Sequence, residues 1–204
     1  MAYPHGQSAA PLYPNGVKTV PCVFFFPQPA TGGIFASGVV ASMRLVLLGA
    51  PGSGKGTQAA KLREHLQVPH ISTGELLRAA VNAGTPLGLQ AKAIMAAGNL
   101  VSDEIVLGML EDRFQQSDTG NGFILDGYPR NLAQANALDA LLNRIGQAMD
   151  IAVQLEVDAE LLVGRLAGRA QAEGRADDSP DAVRNRLKVY EQQTAPVEIG
   201  RAHV

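Results

Sequence analysis

Gly49-Ala50-Pro51-Gly52-Ser53-Gly54-Lys55-Gly56-Thr57 stands between a short apolar run, residues 44–48, and a stretch with helical spacing. Glycines at 52, 54 and 56 let backbone N–H groups converge on an anion without side-chain obstruction. Lys55 adds a mobile positive charge, and a helix starting there aims its positive end at the same place. Such a cradle suits the phosphates of a nucleoside triphosphate, with Gly52, Ser53, Gly54, Lys55, Gly56 and Thr57 as its members. The usual pattern has Ser or Thr directly after the lysine; here Gly56 takes that place and Thr57 follows. A bare strand-to-helix turn is the bland alternative, but it has no use for the lysine or the threonine.

Triphosphate binding does not by itself separate kinases from hydrolases. Two further segments carry arginines: Ser72-Thr73-Gly74-Glu75-Leu76-Leu77-Arg78 and Asp126-Gly127-Tyr128-Pro129-Arg130. Each follows a strand candidate, and in a parallel sheet both emerge at the carboxyl edge, where ligands bind. Five more arginines lie at 165, 169, 175, 184 and 186. They read either as a solvated helical hairpin paired with Glu173, Asp177 and Asp178, or as charge for phosphoryl transfer. That chemistry needs positive charge around equatorial oxygens rather than covalent help. No general base stands beside the arginines at 78 and 130, which favours a phosphate acceptor over a hydroxyl.

The elements that must position these residues alternate. Residues 44–48, 68–71, 123–125 and 151–155 read as strands, with helical stretches between them, one of them residues 55–67. This pattern predicts an α/β fold with a parallel sheet covered by helices on both faces. Ser102-Asp103-Glu104 is expected to cap one helix, and Ser179-Pro180-Asp181 another.

Composition sets the class. A chain of 204 residues with 46% hydrophobic content and a formal net charge of −2 is long enough for one globular domain. That charge gives no sign of a nucleic-acid surface. One cysteine excludes an internal disulfide and a Cys-based zinc site. Residues 1–42 stand apart: Lys18 is their only Lys, Arg, Asp or Glu, and they hold half of the prolines. This extension is expected to be non-native, with the true start at Met43; a disordered tail or a targeting segment are the alternatives. No run approaches the ~20 apolar residues that span a bilayer.

Taken together, RLVLLGAPGSGKGTQA, HISTGELLR, GNLVSDEIV, GFILDGYPRNLAQA, GRADDSP and VRNRL resemble the adenylate kinases over residues 43–197. The resemblance implies the P-loop nucleoside monophosphate kinase fold and transfer of a phosphoryl group from ATP to AMP, giving two ADP. It implies that the 52–57 loop and Arg169 bind ATP. Thr73, Arg78, Asn99, Leu100, Val101, Gly127, Tyr128, Pro129, Arg130 and Gln134 would form the AMP pocket, with Gln134 reading adenine. Arg175 and Arg186 would clamp the AMP phosphate and the transferring group, so that Lys55, Arg130, Arg169, Arg175 and Arg186 form the catalytic set. Asp126 would orient water on a Mg²⁺ that arrives with ATP, with no dedicated metal cage. A monomer in the cytoplasm is expected, with ATP, AMP and ADP as partners and neither nucleic acid nor membrane.

Two departures from the family pattern follow. Only five residues separate Arg169 from Arg175, so the region 165–186 resembles the short, lidless bacterial-type form. Closure of the monophosphate-binding segment, residues 72–101, must then help to exclude water. The stretch ending near Val197 leads, in the family, to one further strand and helix; here residues 198–204 read as a non-native, adapter-derived tail. A UMP/CMP kinase, or an inactive nucleotide-binding fragment caused by truncation, are the alternative functions.

Overall fold

The computed structural model describes residues 23–25 and 42–196. The remainder of the 1–42 extension and the tail 198–204 lie outside the described residues. Four parallel strands form the sheet: β2 (Met43–Gly49), β3 (His70–Ser72), β4 (Gly122–Asp126) and β5 (Ile151–Leu155), in the order β5-β2-β4-β3. A short β1 (Val23–Phe25) pairs antiparallel with the outer edge of β5. The periodicity of the extension gives no sign of this strand. The unpaired N–H and C=O groups of an edge accept any short extended segment of adequate β-propensity, and Val-Phe-Phe has it.

An unbroken apolar run serves both faces of a sheet, because successive side chains point to opposite sides. Leu45 and Leu47 pack with Ile124 against Ala59 of α1 (Lys55–Leu66). Val46 and Leu48 point the other way, with Phe123 and Leu125, into the larger cluster. That cluster is completed by α2 (Thr73–Asn82), α3 (Pro86–Ala96), α4 (Asp103–Phe114) and α5 (Leu132–Arg144). Phe114 of α4 stacks on Phe123 of β4, ring centres 4.6 Å apart. Gly88 lets α3 lie against α2; a Cβ there would stand 2.0 Å from the Ala80 carbonyl oxygen.

Strand three starts later than residues 68–71 suggest. Pro69 has no N–H to give to a ladder, and only its carbonyl is used, by Ile124 N–H at 2.8 Å. The helix after residue 102 forms, but the Ser102 side chain makes no cap hydrogen bond. Ser179 does cap α7 (Pro180–Val189), accepting from Ala182 N–H at 3.3 Å. Between them α6 (Ala159–Glu173) ends on left-handed Gly174, and a single 3₁₀ turn, Ala176–Asp178, leads into α7.

Register decides which residues meet. Leu47 lies beside Asp126, Ser72 beside Asp126, and Gly49 beside Leu155. The chain therefore leaves β2, β3 and β4 at one rim, directly into α2 in the case of β3. No helix among the described residues is long and apolar enough to cross a membrane.

Candidate active site

The loop after β2 is shaped by two glycines in left-handed conformations, Gly52 (φ 82°) and Gly54 (φ 97°). A Cβ at Gly52 would meet Leu166 Cγ of α6 at 3.0 Å, so α6 rests directly on the loop. Gly56, by contrast, is an ordinary residue of the first turn of α1, and its lack of a side chain answers no backbone demand there. Gly54 is the N-cap of α1, with no side chain to cap the helix and no acidic residue in the first turn. The first amides and the positive end of α1 are thus left for an anion. Lys55 Nζ donates to the carbonyls of Gly49 (2.7 Å) and Ala50 (2.9 Å), folded back on its own loop. Ser53 Oγ is buried without a hydrogen-bond partner among the described residues.

This loop forms one wall of a cavity of about 1080 Å³ along the rim. Arg78 of α2, Arg130 after β4, Arg165 and Arg169 of α6, Arg175 and Arg186 reach the same cavity. A smaller recess of about 50 Å³ adjoins it, sharing Arg78, Gly127, Tyr128, Arg130 and Arg186. Thr73, Asn99, Leu100, Val101 and Gln134 line this recess. Pro129 lines the large cavity only. Every residue expected to form the site therefore lies on one of the two spaces.

Local bonds set the second wall. Thr73 Oγ1 donates to the Gly127 carbonyl at 3.0 Å, and a Cβ on Gly127 (φ 81°) would sit 2.8 Å from that hydroxyl. Arg130 Nε donates to the same carbonyl at 2.7 Å. Thr194 Oγ1 donates to the Arg130 carbonyl at 2.8 Å, tying the turn after α7 to the site. Asn99 is exposed, and its side-chain oxygen accepts from Asn185 Nδ2 of α7 at 2.7 Å.

Both readings of the downstream arginines contain part of the answer. Arg169 makes a two-pronged contact with Asp178, 2.7 Å on each arm. Arg186 Nη1 donates to the same carboxylate at 2.6 Å and lies 3.4 Å from Asp177. Asp177 is also 3.5 Å from Arg78, and Arg175 pairs with Glu173. Glu173 is exposed, but the two aspartates are inside: the Asp178 side chain is 0% exposed and that of Asp177 12%. Arg184 alone fits the solvated picture, 77% exposed and bonded to Asp181.

The charges bear on one another. Burial, then Arg186, pulls the Arg130 guanidinium down to about 10, still protonated at neutral pH. Burial and the neighbouring Arg175 likewise lower Arg78, and burial lowers Arg186 against the pull of Asp178 and Asp177. Burial opposes ionisation of Asp178, but Arg169 and Arg186 hold it below the usual carboxylate range. Asp126 behaves in the same way, with His70, Lys55 and Arg130 outweighing its burial.

Two residues at the site escaped sequence reasoning. His70 stands at the start of β3 with Nε2 3.6 Å from the Asp126 carboxylate and, among the described residues, no partner at hydrogen-bond distance. Asp103 lies beneath Gln134. The only signal for His70 was its place at a strand that ends on the rim; Asp103 was hidden as an ordinary acid at a helix start.

Residues 47–199 match the family described as adenylate kinase. The chain belongs to the adenylate kinase family. It is similar to the adenylate kinase of Xanthomonas campestris pv. campestris (strain 8004), with 70% identity over 155 residues, 76% of this chain and 83% of that protein. Against the adenylate kinase of Stenotrophomonas maltophilia (strain R551-3) the identity is 68% over the same shares. The same holds for that of Xanthomonas oryzae pv. oryzae (strain MAFF 311018). The fold is that of an adenylate kinase: a parallel sheet with helices and a P-loop at its carboxyl rim. Among the described residues no group of three or more His, Cys, Asp and Glu gathers to hold a metal.

Proposed function

We infer that this adenylate kinase transfers the terminal phosphoryl group of ATP to AMP, reversibly, giving two ADP. The observation that carries the reading is that four arginines, Arg78, Arg130, Arg175 and Arg186, line the same cavity as the Lys55 loop. A hydrolase needs one anion site; this rim offers two, with a recess behind the second.

The chain's own residues divide the work. Amides of residues 52–57 take the ATP phosphates, and Lys55 leaves the Gly49 and Ala50 carbonyls to reach the β- and γ-phosphates. Thr57, exposed at the cavity, offers its hydroxyl to the same group. Arg169 lies over the triphosphate. Arg78 and Arg130 hold the AMP phosphate, while Thr73, the backbone of 99–101, the turn 127–130 and Gln134 enclose its base. Arg175 and Arg186 gather the equatorial oxygens as charge builds on them. Because the acceptor is already anionic, no proton has to be removed, and holding the two ends in line supplies the catalysis.

Adenylate kinases use Mg²⁺ with ATP, and the donor set here fits an ion that travels with the nucleotide. Asp126, ionised in the cavity near Lys55, would hold its water shell. When bound, the ion neutralises charge between the β- and γ-phosphates. We place the enzyme, as a monomer, in the cytoplasm, where adenine nucleotides turn over.

A panel of acceptors tests the reading. With ATP as donor, AMP is expected to give ADP rapidly and UMP or CMP slowly, since Gln134 offers a match for adenine. Turnover preferring UMP or CMP would overturn the assignment of substrate. Tight ATP binding with no ADP formed from any monophosphate would reduce the chain to a nucleotide-binding fragment.

A further inference from the structure

Gln134 is a buried amide, 2% exposed, whose two ends face opposite chemistry. Its Oε1 accepts from the Arg130 N–H at 2.7 Å, and its Nε2 donates to Asp103 Oδ1 at 2.6 Å. Neither partner can exchange roles. A backbone N–H only donates, and a carboxylate only accepts. Turning the amide through 180° would set N–H against N–H and carbonyl against carboxylate, in a place without water to relieve either clash.

Asp103 is itself held. It opens α4, and Asn131 Nδ2 donates to it at 3.3 Å. Asn131 in turn caps α5, accepting from the Gln134 N–H at 2.8 Å. One carboxylate thus joins the starts of two helices and fixes the side chain between them. The nearby Tyr128 phenol is buried and unpaired, and its ionisation is pushed up to about 12 by burial and by Asp103. It stays neutral, and its hydroxyl makes no hydrogen bond to the carboxylate among the described residues.

An amide has two N–H groups and two acceptor lone pairs. One of each is consumed, which leaves one donor and one acceptor for the recess that Gln134 lines. Adenine presents an amino donor at C6 beside the N1 acceptor, the complement of that pair. A 6-oxopurine presents the reverse, a carbonyl acceptor beside an N1–H donor. We propose that Asp103 is a positioning residue for base specificity, locking the Gln134 amide so that the monophosphate recess accepts adenine and rejects 6-oxopurines. Asp103 lines neither cavity and acts only through Gln134. The proposal rests on the reading that Gln134 meets the base.

The probe is inosine monophosphate, which inverts the edge without adding a second amino group. Asp103→Asn keeps the shape but makes the position able to donate as well as accept. The ratio of kcat/KM for AMP over inosine monophosphate is expected to fall about tenfold, through a higher KM for AMP. The KM for ATP should stay put, and Asp103→Glu should recover part of the ratio. An unchanged ratio, or an equal loss for both acceptors, would overturn the proposal, since a merely structural role moves both alike. Gln134→Leu separates the two levels. If that variant also leaves the ratio unchanged, the reading of Gln134 has failed; if it collapses the ratio while Asp103→Asn does not, the lock alone has failed. Should Asp103→Asn not fold, ¹⁵N NMR of the wild-type side-chain amide decides: one ε-proton shifted strongly downfield supports the lock, and two ordinary shifts refute it.

Discussion

Residues 49–57 and the arginines gathered around the 173–178 turn, Arg78, Arg169, Arg175 and Arg186, face the same cavity and bring positive charge to it by opposite means. The first does so with backbone: amides, a helix end and glycines at φ 82° and 97°, with no acid in the first turn of α1. The second does so with side chains whose charge is neutralised at rest. Arg169 and Arg186 share Asp178, and Arg78 and Arg186 approach Asp177. A phosphate entering the loop displaces only Lys55 from its own carbonyls. A phosphate entering the arginine wall competes with carboxylates already in place. On the proposed reading the loop is a standing site, while the arginine cluster is held in shape by its acids.

The sharpest way to break this contrast is to remove charge from the second region. Arg186→Ala is expected to lower kcat on the order of 10³–10⁵-fold, the range for a transition-state arginine. Arg186→Lys should recover little, because a point charge cannot replace the fork that spans Asp178 and the phosphate. A loss below tenfold in steady-state kinetics would place Arg186 in the scaffold instead.

Backbone failure in the first region should be milder and differently distributed. A Cβ at Gly54 meets nothing within 4 Å, so Gly54→Ala is opposed only by the left-handed conformation, φ 97°. At about 1–2 kcal/mol this destabilises the loop's native conformation, and the KM for ATP is expected to rise with that for AMP unmoved. Gly52→Ala adds the contact with Leu166 and should be worse. Equal effects of the two glycine variants on ATP and AMP would argue against separate sites.

The smallest effect concerns acid stability. Asp178 has its pKa depressed in the folded state, below the ordinary 3.8. Its contribution is therefore full above that value and is lost as pH falls through the lower, folded value. Melting temperatures followed from neutral pH downward should decline below about 3.8 in the wild type. Asp178→Asn should start lower and decline less steeply. Parallel curves would mean that the pairing with Arg169 and Arg186 adds nothing to stability.

The contrast also explains what the sequence could reveal. The standing site is local: strand, glycines, lysine and helix follow one another, so residues 49–57 announce both structure and chemistry. Arg78 and Arg130 were legible because parallel strands deliver the loops that follow them to one rim. The lock at Gln134 was not, because Asp103 is 31 residues away and reads as any acid at a helix start. Nor was the burial of Asp178 among its arginine partners, since alternating acids and arginines look the same in a solvated hairpin as in a buried cluster. The pairing of β1 with β5 leaves no periodic trace in three residues.

Direct passage of the phosphoryl group between two facing nucleotides is tested by ATP carrying ¹⁸O in its γ-phosphate, mixed with unlabelled AMP and followed by ³¹P NMR during the first turnovers. The label is expected in the β-phosphate of the ADP made from AMP, with none released as inorganic phosphate. Label in free phosphate, or retained on the protein, would contradict the account.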